Sequence, residues 1–194
     1  MKKIINAILF NLSRKIKTNK VWHHPQGMQL ELTNACNLNC IECYRHSEKN
    51  LKIGYMNFDN FIKIIKQFPY LKNISLFGTG ESLLHKDFFK MVDYLKKNKP
   101  SIKLFLTTNG TLLNEFNIRQ IVDSHIHLTM SLDAFNEEDY KKVSGKTVIS
   151  YEKILNNIRY FRDYNPAYKF TLTYMMLNEN FENAVNFVKL ASTL

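Results

Sequence analysis

The stretch Thr33-Asn-Ala-Cys36-Asn-Leu-Asn-Cys40-Ile-Glu-Cys43-Tyr44-Arg45 decides how this chain is read. It holds every cysteine of a 194-residue sequence. Three cysteines crowded into one short segment make a poor disulfide framework and point to a reducing compartment, hence the cytoplasm. The spacing C-x3-C-x2-C lets three thiolates of one loop converge on a single centre. Three thiolates suit a [4Fe–4S] cluster with one iron left open. An open iron can take a small molecule, as the open position does in catalytic zinc sites. A structural zinc completed by His46 is the alternative, since such sites usually want four ligands. Inert buried thiols fit less well, because the motif lies among Asn and Glu rather than apolar residues.

Around this motif the chain alternates between two periodicities. Residues 28–33, 74–77, 102–108, 126–131 and 169–174 are short, β-branched or aromatic, and bounded by polar residues or Gly, as strands are. Residues 58–68, 86–97, 112–122, 151–161 and 181–190 carry apolar residues at helical spacing. Asn57 and Ser150 stand as N-caps before two of them, and Asn98 and Pro100 close a third. Strands alternating with helices predict βα units on a parallel sheet. A complete eight-stranded barrel needs about 250 residues. The expected fold is therefore α/β, a partial open (β/α) barrel of five parallel strands with helices outside. The cysteine loop follows the first strand, on the C-terminal rim where such barrels build their sites. The sequence stops at Leu194, after the fifth helix, so residues 21–194 are expected to form a core short of a sixth strand.

Lys and Arg number 27 against 17 Asp and Glu, a net charge of +10. No apolar run approaches the roughly 18 residues of a membrane span. Residues 1–20 read as a basic amphipathic helix: Ile5, Ile8, Leu9, Leu12 and Ile16 recur at helical spacing, with Lys and Asn opposite. Asn6 and Asn11 interrupt the apolar stretch and no cleavage site follows, which excludes a signal peptide. Two uses remain open for this helix. It packs on the domain, or it lies on an anionic membrane surface or an acidic partner. The positive charge alone also admits an RNA-binding or RNA-modifying protein. However, the lysines fall in Lys-Lys and Lys-Asn pairs on helix faces, and no aromatic-basic stripe accompanies them. No nucleic-acid partner is expected.

The cysteine stretch resembles the signature of the radical S-adenosylmethionine (SAM) superfamily, and further segments extend the resemblance. Ile53-Gly-Tyr-Met-Asn-Phe58 is similar to the segment before the first helix in the SPASM-related branch. Phe77-Gly-Thr-Gly-Glu-Ser-Leu-Leu-His85 is similar to that branch's G-x-G-E-P-L-L-H segment. Thr107-Thr-Asn-Gly110 and Ser131-Leu-Asp133 match the ends of its third and fourth strands. The resemblance covers roughly residues 28–190. It implies that Cys36, Cys40 and Cys43 hold a [4Fe–4S] cluster. It also implies that Thr79, Gly80, Glu81, Asn109, Ser131, Asp133 and Met175 bind SAM: the glycine turn at the methionine amine, Ser131 and Asp133 at the ribose or methionyl group, and Met175 at adenine. The implied activity is reductive cleavage of SAM to a 5′-deoxyadenosyl radical, which abstracts hydrogen from a peptide or other biosynthetic intermediate. The enzyme would be an oxidoreductase served by a reduced flavodoxin or ferredoxin. His85 is expected to order its turn.

The glycine turn by itself would be an ordinary strand-to-helix connection, with Glu81 favourable at a helix start. Ser131 and Asp133 could be a plain capping pattern, Asn109-Gly110 a plain turn and Met175 a core residue. Two positions depart from the branch. Glu42 replaces an aromatic or apolar residue before the last cysteine. Ser144 stands where an Arg would face the SAM carboxylate, with Lys142 and Lys146 nearby. The cysteine-rich C-terminal extension of SPASM proteins is also absent from this sequence. These departures keep open a second expectation, a degenerate cluster- or SAM-binding module without turnover.

Overall fold

The computed structural model describes residues 1–16, 19–48, 50–145 and 149–194, and every side chain in them except that of His46. Its elements in chain order are α1 (Lys2–Lys15), β1 (Gly27–Gln29), α2 (Tyr44–Ser47), α3 (Phe58–Gln67), β2 (Asn73–Ser75), α4 (Phe88–Asn98), β3 (Lys103–Thr108), α5 (Glu115–Asp123), β4 (Ile126–Ser131), α6 (Glu137–Val143), α7 (Tyr151–Tyr164), β5 (Thr171–Thr173) and α8 (Ala184–Ala191). One-turn 3₁₀ helices occupy Ser82–Leu84 and Phe181–Asn183.

The five strands form one parallel sheet in the order β1-β2-β3-β4-β5, so each strand pairs with its neighbour in sequence. The outer strands β1 and β5 do not pair with one another. This is the expected open half-barrel. Hydrophobic periodicity explains it. Along β3 and β4 alternate residues are buried, and Leu104, Leu106, Ile126, Leu128 and Met130 point into one core with Phe61, Phe88, Leu95, Ile118, Ile158 and Phe161 from the helices. The alternate positions share the opposite face, where Thr107 registers with Thr129 and Thr129 with Thr171.

The helix starts follow their caps. The Asn57 carboxamide oxygen accepts from the Asn60 amide at 2.8 Å, and the Ser150 hydroxyl from the Lys153 amide at 3.3 Å. Asn114 caps α5 in the same way, which moves its start from the expected residue 112 to Glu115. The last expected helix divides into the 3₁₀ turn and α8. Both α2 and α6 are absent from the expected alternation, because each is short and carries too few apolar residues to show a helical stripe.

The first strand is shorter than its alternating pattern suggested. Its ladder with β2 extends through Leu30, whose amide donates to the Ser75 carbonyl at 2.9 Å. A strap over residues 52–56 then takes over. The Met56 amide donates to Leu32 at 2.8 Å, and Thr33 pairs with Tyr55 in an isolated antiparallel bridge. The fifth strand is likewise trimmed, as a solvated edge strand.

The N-terminal helix departs from the packed arrangement. Its buried residue is Asn6, not an apolar one. Asn6 accepts from the His24 amide at 2.7 Å and donates to the His24 carbonyl at 3.2 Å. Ile5, Ile8, Leu12 and Ile16 instead face solvent. Of the expected apolar stripe only Leu9 is half-buried, and a reciprocal polar pair fixes the rotation of the helix. Among the described residues no helix is long and apolar enough to cross a membrane.

Candidate functional site

The cysteine loop runs from Thr33 to Cys43, between the end of the first strand and α2. It is held from three sides. The strap donates and accepts around Asn34: Asn34 Nδ2 donates to the Lys52 carbonyl at 2.9 Å, and the Gly54 amide donates to Asn34 Oδ1 at 2.7 Å. From the second strand's turn, the Glu81 amide donates to the Ala35 carbonyl at 2.7 Å. From the end of α6, the carbonyls of Val143 and Ser144 accept from Ile41 at 3.1 Å and Asn39 at 3.2 Å.

Two glycines make this clamp sterically feasible. A Cβ on Gly80 would stand 2.3 Å from the Thr33 carbonyl oxygen and 2.6 Å from that of Ala35. Gly145 sits at φ +63°, and a Cβ there would lie 2.1 Å from the Asn39 carbonyl oxygen. Gly80 thus lets the cysteine loop close on the turn, a close backbone approach that a side chain would prevent. The sequence marked Gly80 as a place for a ligand to approach. The neighbour that fills that space is the chain itself.

Cys36, Cys40 and Cys43 are all free and half-buried. They line one cavity of about 200 Å³ together with Glu42, Thr79, Gly80, Glu81, Asn109, Ser131, Asp133 and Ser144. Six of the seven expected SAM-binding residues are therefore brought together with the three thiols. Met175 is not among the lining residues: the residue is 51% exposed, so it is not a core methionine either. Its backbone amide donates to Asp133 Oδ1 at 2.7 Å.

The cavity collects acidic groups and resists their ionisation. Burial pushes the Cys40 thiol up to about 12, with Glu42, the other two cysteines and Asp133 adding to the rise. Burial also raises Cys36, opposed by a backbone hydrogen bond from Leu38. The carboxyls of Glu42, Glu81 and Asp133 are all raised, in each case chiefly by burial. Such a pocket disfavours three free thiolates and favours a cationic group that would neutralise them.

The polar groups are individually held. Glu81 Oε1 accepts from the Leu83 amide at 3.1 Å and the Thr108 hydroxyl at 3.0 Å, and Oε2 from the Asn109 amide at 2.9 Å. It caps the Ser82–Leu84 turn, as the local pattern alone suggests, and ties it to the end of β3. Asn109 donates to Cys36 Sγ at 3.8 Å and to Asn37 Oδ1 at 3.0 Å. Asp133 adopts the left-handed region at φ +51°, a conformation unusual for a non-glycine residue. Its carboxylate accepts from Ser131 Oγ at 2.5 Å, and Asn180 holds its carbonyl at 2.9 Å. Among the described residues Glu42 Oε2 is buried without a hydrogen-bond partner.

His85 orders its turn. It is buried, with Nε2 donating to the Met56 carbonyl at 2.8 Å and Nδ1 accepting from the Asp87 amide at 3.1 Å. Lys142 is paired with Glu138 at 2.8 Å and is not among the residues lining the cavity, and Lys146 lies outside the described residues. Ser144 is buried and donates to the Tyr140 carbonyl. Among the described residues no group of three His, Cys, Asp or Glu is arranged to hold a single metal ion. A cluster offers each thiolate its own iron and so does not require convergence on one atom. The side chain of His46, the fourth ligand of the zinc alternative, is not described.

Several participants carry no local signal. Glu31 accepts from the Thr79 amide at 2.5 Å and the Thr79 hydroxyl at 2.7 Å. Asn37 donates to Thr111 at 2.8 Å. Asn180 lies 47 positions from the Asp133 it supports. These are contacts between separate βα units, which no window of sequence contains.

An open parallel half-barrel with three free thiols, a glycine-bearing turn and buried carboxyls on one rim defines an α/β core suited to a cysteine-ligated group at the C-terminal ends of its strands. The family model described as the radical SAM superfamily matches residues 30–191. The chain belongs to that superfamily. It is 36% identical over 139 residues to the uncharacterized protein MJ0804 of Methanocaldococcus jannaschii, covering 71% of this chain and 43% of that one. It is 31% identical over 139 residues to the tungsten-containing aldehyde ferredoxin oxidoreductase cofactor-modifying protein of Pyrococcus furiosus, covering 69% and 38%. Among solved structures, Streptococcus suis SuiB bound to precursor peptide SuiA superposes with a TM-score of 0.73 at 17% identity, covering 94% of this chain and 40% of SuiB. The chain thus spans less than half the length of these relatives.

Proposed function

We infer that this chain is the core of a radical SAM enzyme, with Cys36, Cys40 and Cys43 holding a [4Fe–4S] cluster whose fourth iron is left for SAM. The observation that carries this reading is the joint lining of one cavity by the three free thiols and six of the seven expected SAM contacts. Membership of the superfamily and the convergence of three thiols and three buried carboxyls on one cavity support it. When bound, such a cluster would supply the electron for reductive cleavage of SAM, the source of the family's radical chemistry.

The chain's own residues bind and position. Gly80 allows the cysteine loop to seat on the turn, and Glu81, its oxygens taken by three donors, fixes the Asn109 turn beside Cys36. Ser131 and Asp133 present a paired hydroxyl and carboxyl from β4 for polar contacts to SAM. Glu42 offers a buried unpartnered oxygen that a cofactor N–H would satisfy. A net charge of +10 suits an acidic flavodoxin or ferredoxin as electron donor. The substrate is a peptide or another biosynthetic intermediate, in line with the peptide bound by SuiB.

Anaerobic reconstitution with iron and sulfide should give about four irons per chain and a cluster signal that changes on adding SAM. Under reductant, 5′-deoxyadenosine should accumulate. A cluster that ignores SAM, with no 5′-deoxyadenosine formed, defeats the reading. A second reading, a SAM-binding module without turnover, rests on Glu42 and Ser144 and is distinguished by a SAM-responsive cluster that yields no 5′-deoxyadenosine.

A further inference from the structure

The outward apolar face of α1 has no role in the site just described. Ile4 is 66% and Ile8 59% exposed, and Ile5, Leu12 and Ile16 are exposed with them. Their spacing places all five on one side of the helix, while Asn6 anchors the other side to His24. Val21 and Trp22, just beyond the helix, are exposed as well. A globular chain normally turns such a stripe inward. Contiguous exposed apolar surface of this kind marks an interaction site.

Charge selects the occupant. Residues 1–30 contain six Lys and Arg and no Asp or Glu; the first carboxylate in the chain is Glu31. The same end of the molecule holds a second basic feature. Lys3 of α1 shares a cavity of about 600 Å³ with Lys72, Lys99 and Lys103, and no carboxylate lines it. Burial and the neighbouring Lys3 lower the Lys99 ammonium from its ordinary value. Lys72 immediately precedes β2 and Lys103 begins β3. This end therefore lies at the N-terminal ends of the strands, opposite the cysteine rim.

We propose that α1 docks this chain on an anionic phospholipid surface. The Ile4–Ile16 stripe and Trp22 enter the interface, and the surrounding lysines face phosphate headgroups. An apolar stripe beside a purely basic flank is the composition of an interfacial helix, which lies in the plane of the membrane rather than crossing it. Trp favours that depth because its ring is amphipathic. Docking through this end leaves the three-thiol cavity, at the far end of the strands, open to solvent and to its partners. A second copy of the chain is a poorer fit, since each copy would bring the same uncompensated positive charge to the contact.

The full chain carries one tryptophan, so Trp22 reports the contact directly. The test is co-sedimentation with vesicles of phosphatidylcholine, alone or mixed with phosphatidylglycerol, with Trp22 emission followed in parallel. Mixed vesicles should bind at least about tenfold more tightly than neutral ones, shift the Trp22 emission to the blue, and release the chain at high salt. Ile8→Glu with Leu12→Glu should abolish binding to both. Lys2→Glu with Lys3→Glu should remove the preference for the anionic lipid. Unchanged thermal unfolding would show that both pairs leave the core folded. Absence of binding, binding indifferent to anionic lipid, or self-association removed by Ile8→Glu/Leu12→Glu without vesicle binding each overturns the proposal.

Discussion

Asn109 directs its side-chain amide at the sulfur of Cys36, 3.8 Å away, while its carboxamide oxygen accepts from Thr111 at 3.0 Å (amide) and 2.6 Å (hydroxyl). One side chain therefore closes the turn after β3 and faces a candidate iron ligand. Asn109→Asp separates the two tasks. The acceptor for Thr111 is kept and, beside the contact to Cys36, only the exposed hydrogen bond to Asn37 is given up, so the melting temperature should fall by no more than such a bond is worth, about 1 kcal/mol. The donor is lost and a charge is placed against a thiolate, so iron bound after reconstitution should be at least roughly halved. Asn109→Ala should instead cost about 1 kcal/mol of stability by leaving the Thr111 groups unpaired. Iron assay and thermal melts on both variants check the pair.

Gly80 and Gly54 give opposite expectations for the same substitution. Gly80→Ala drives a methyl group into the Thr33 and Ala35 carbonyls, which are backbone and cannot rotate away. It should destabilise by about 1–3 kcal/mol and lower iron binding by displacing the cysteine loop. Gly54→Ala meets nothing within 4 Å and should stay within about 0.5 kcal/mol of the parent. Chemical denaturation of the iron-free chains measures both.

Glu42 makes the pH dependence of the iron-free chain unusual. Its carboxyl is raised mainly by burial, with a contribution from Asp133. A carboxyl raised on folding binds more protons folded than unfolded, so stability increases as pH falls through the raised value toward the ordinary carboxylate range. Glu42→Gln should therefore stabilise the iron-free chain at neutral pH and flatten its pH dependence over the mildly acidic range. The gain should be at most roughly 1 kcal/mol, because the side chain is only partly buried and solvent screens it. Melting temperatures of parent and variant across that range decide the matter; a loss of stability at neutral pH would refute it.

Cys40 should be a slow nucleophile in the iron-free chain. With its thiol pushed up to about 12, the thiolate fraction grows about tenfold per pH unit well above the range where an ordinary cysteine levels off near 8.5. Alkylation by iodoacetamide, followed by peptide mapping, should show that rise without a plateau through pH ~10. Reconstitution with iron and sulfide should abolish the labelling, and Cys40→Ser should bring iron incorporation close to zero.

The five strands and the longer helices are readable in the sequence because their signals are local. Asn57 and Ser150 announce their helices by a side-chain oxygen three residues before the amide it accepts. The fourth strand, Ile126–Ser131, matches its alternating pattern at both ends. Leu30 and Leu32 continue the alternation of the first strand, yet the strap at residues 52–56 takes over part of its pairing. That competition is between segments some twenty residues apart, and strand periodicity does not register it.

The alternation of the five strands with α3, α4, α5, α7 and α8, and the place of Cys36, Cys40 and Cys43 on the loop after the first strand, were legible in the sequence alone, while the grouping of Thr79, Glu81, Asn109 and Asp133 came from the resemblance of their motifs. Periodicity and motif spacing are properties of neighbouring residues. Tertiary structure decided what each rim residue leans on: Gly80 on the cysteine loop, Thr79 on Glu31, Asp133 on Asn180. It also decided which way α1 turns. Its apolar stripe specifies that one face differs from the other, but not which face meets the domain. The paired hydrogen bonds between Asn6 and His24 settle that rotation, because a buried carboxamide requires partners and these are supplied by a segment outside the helix.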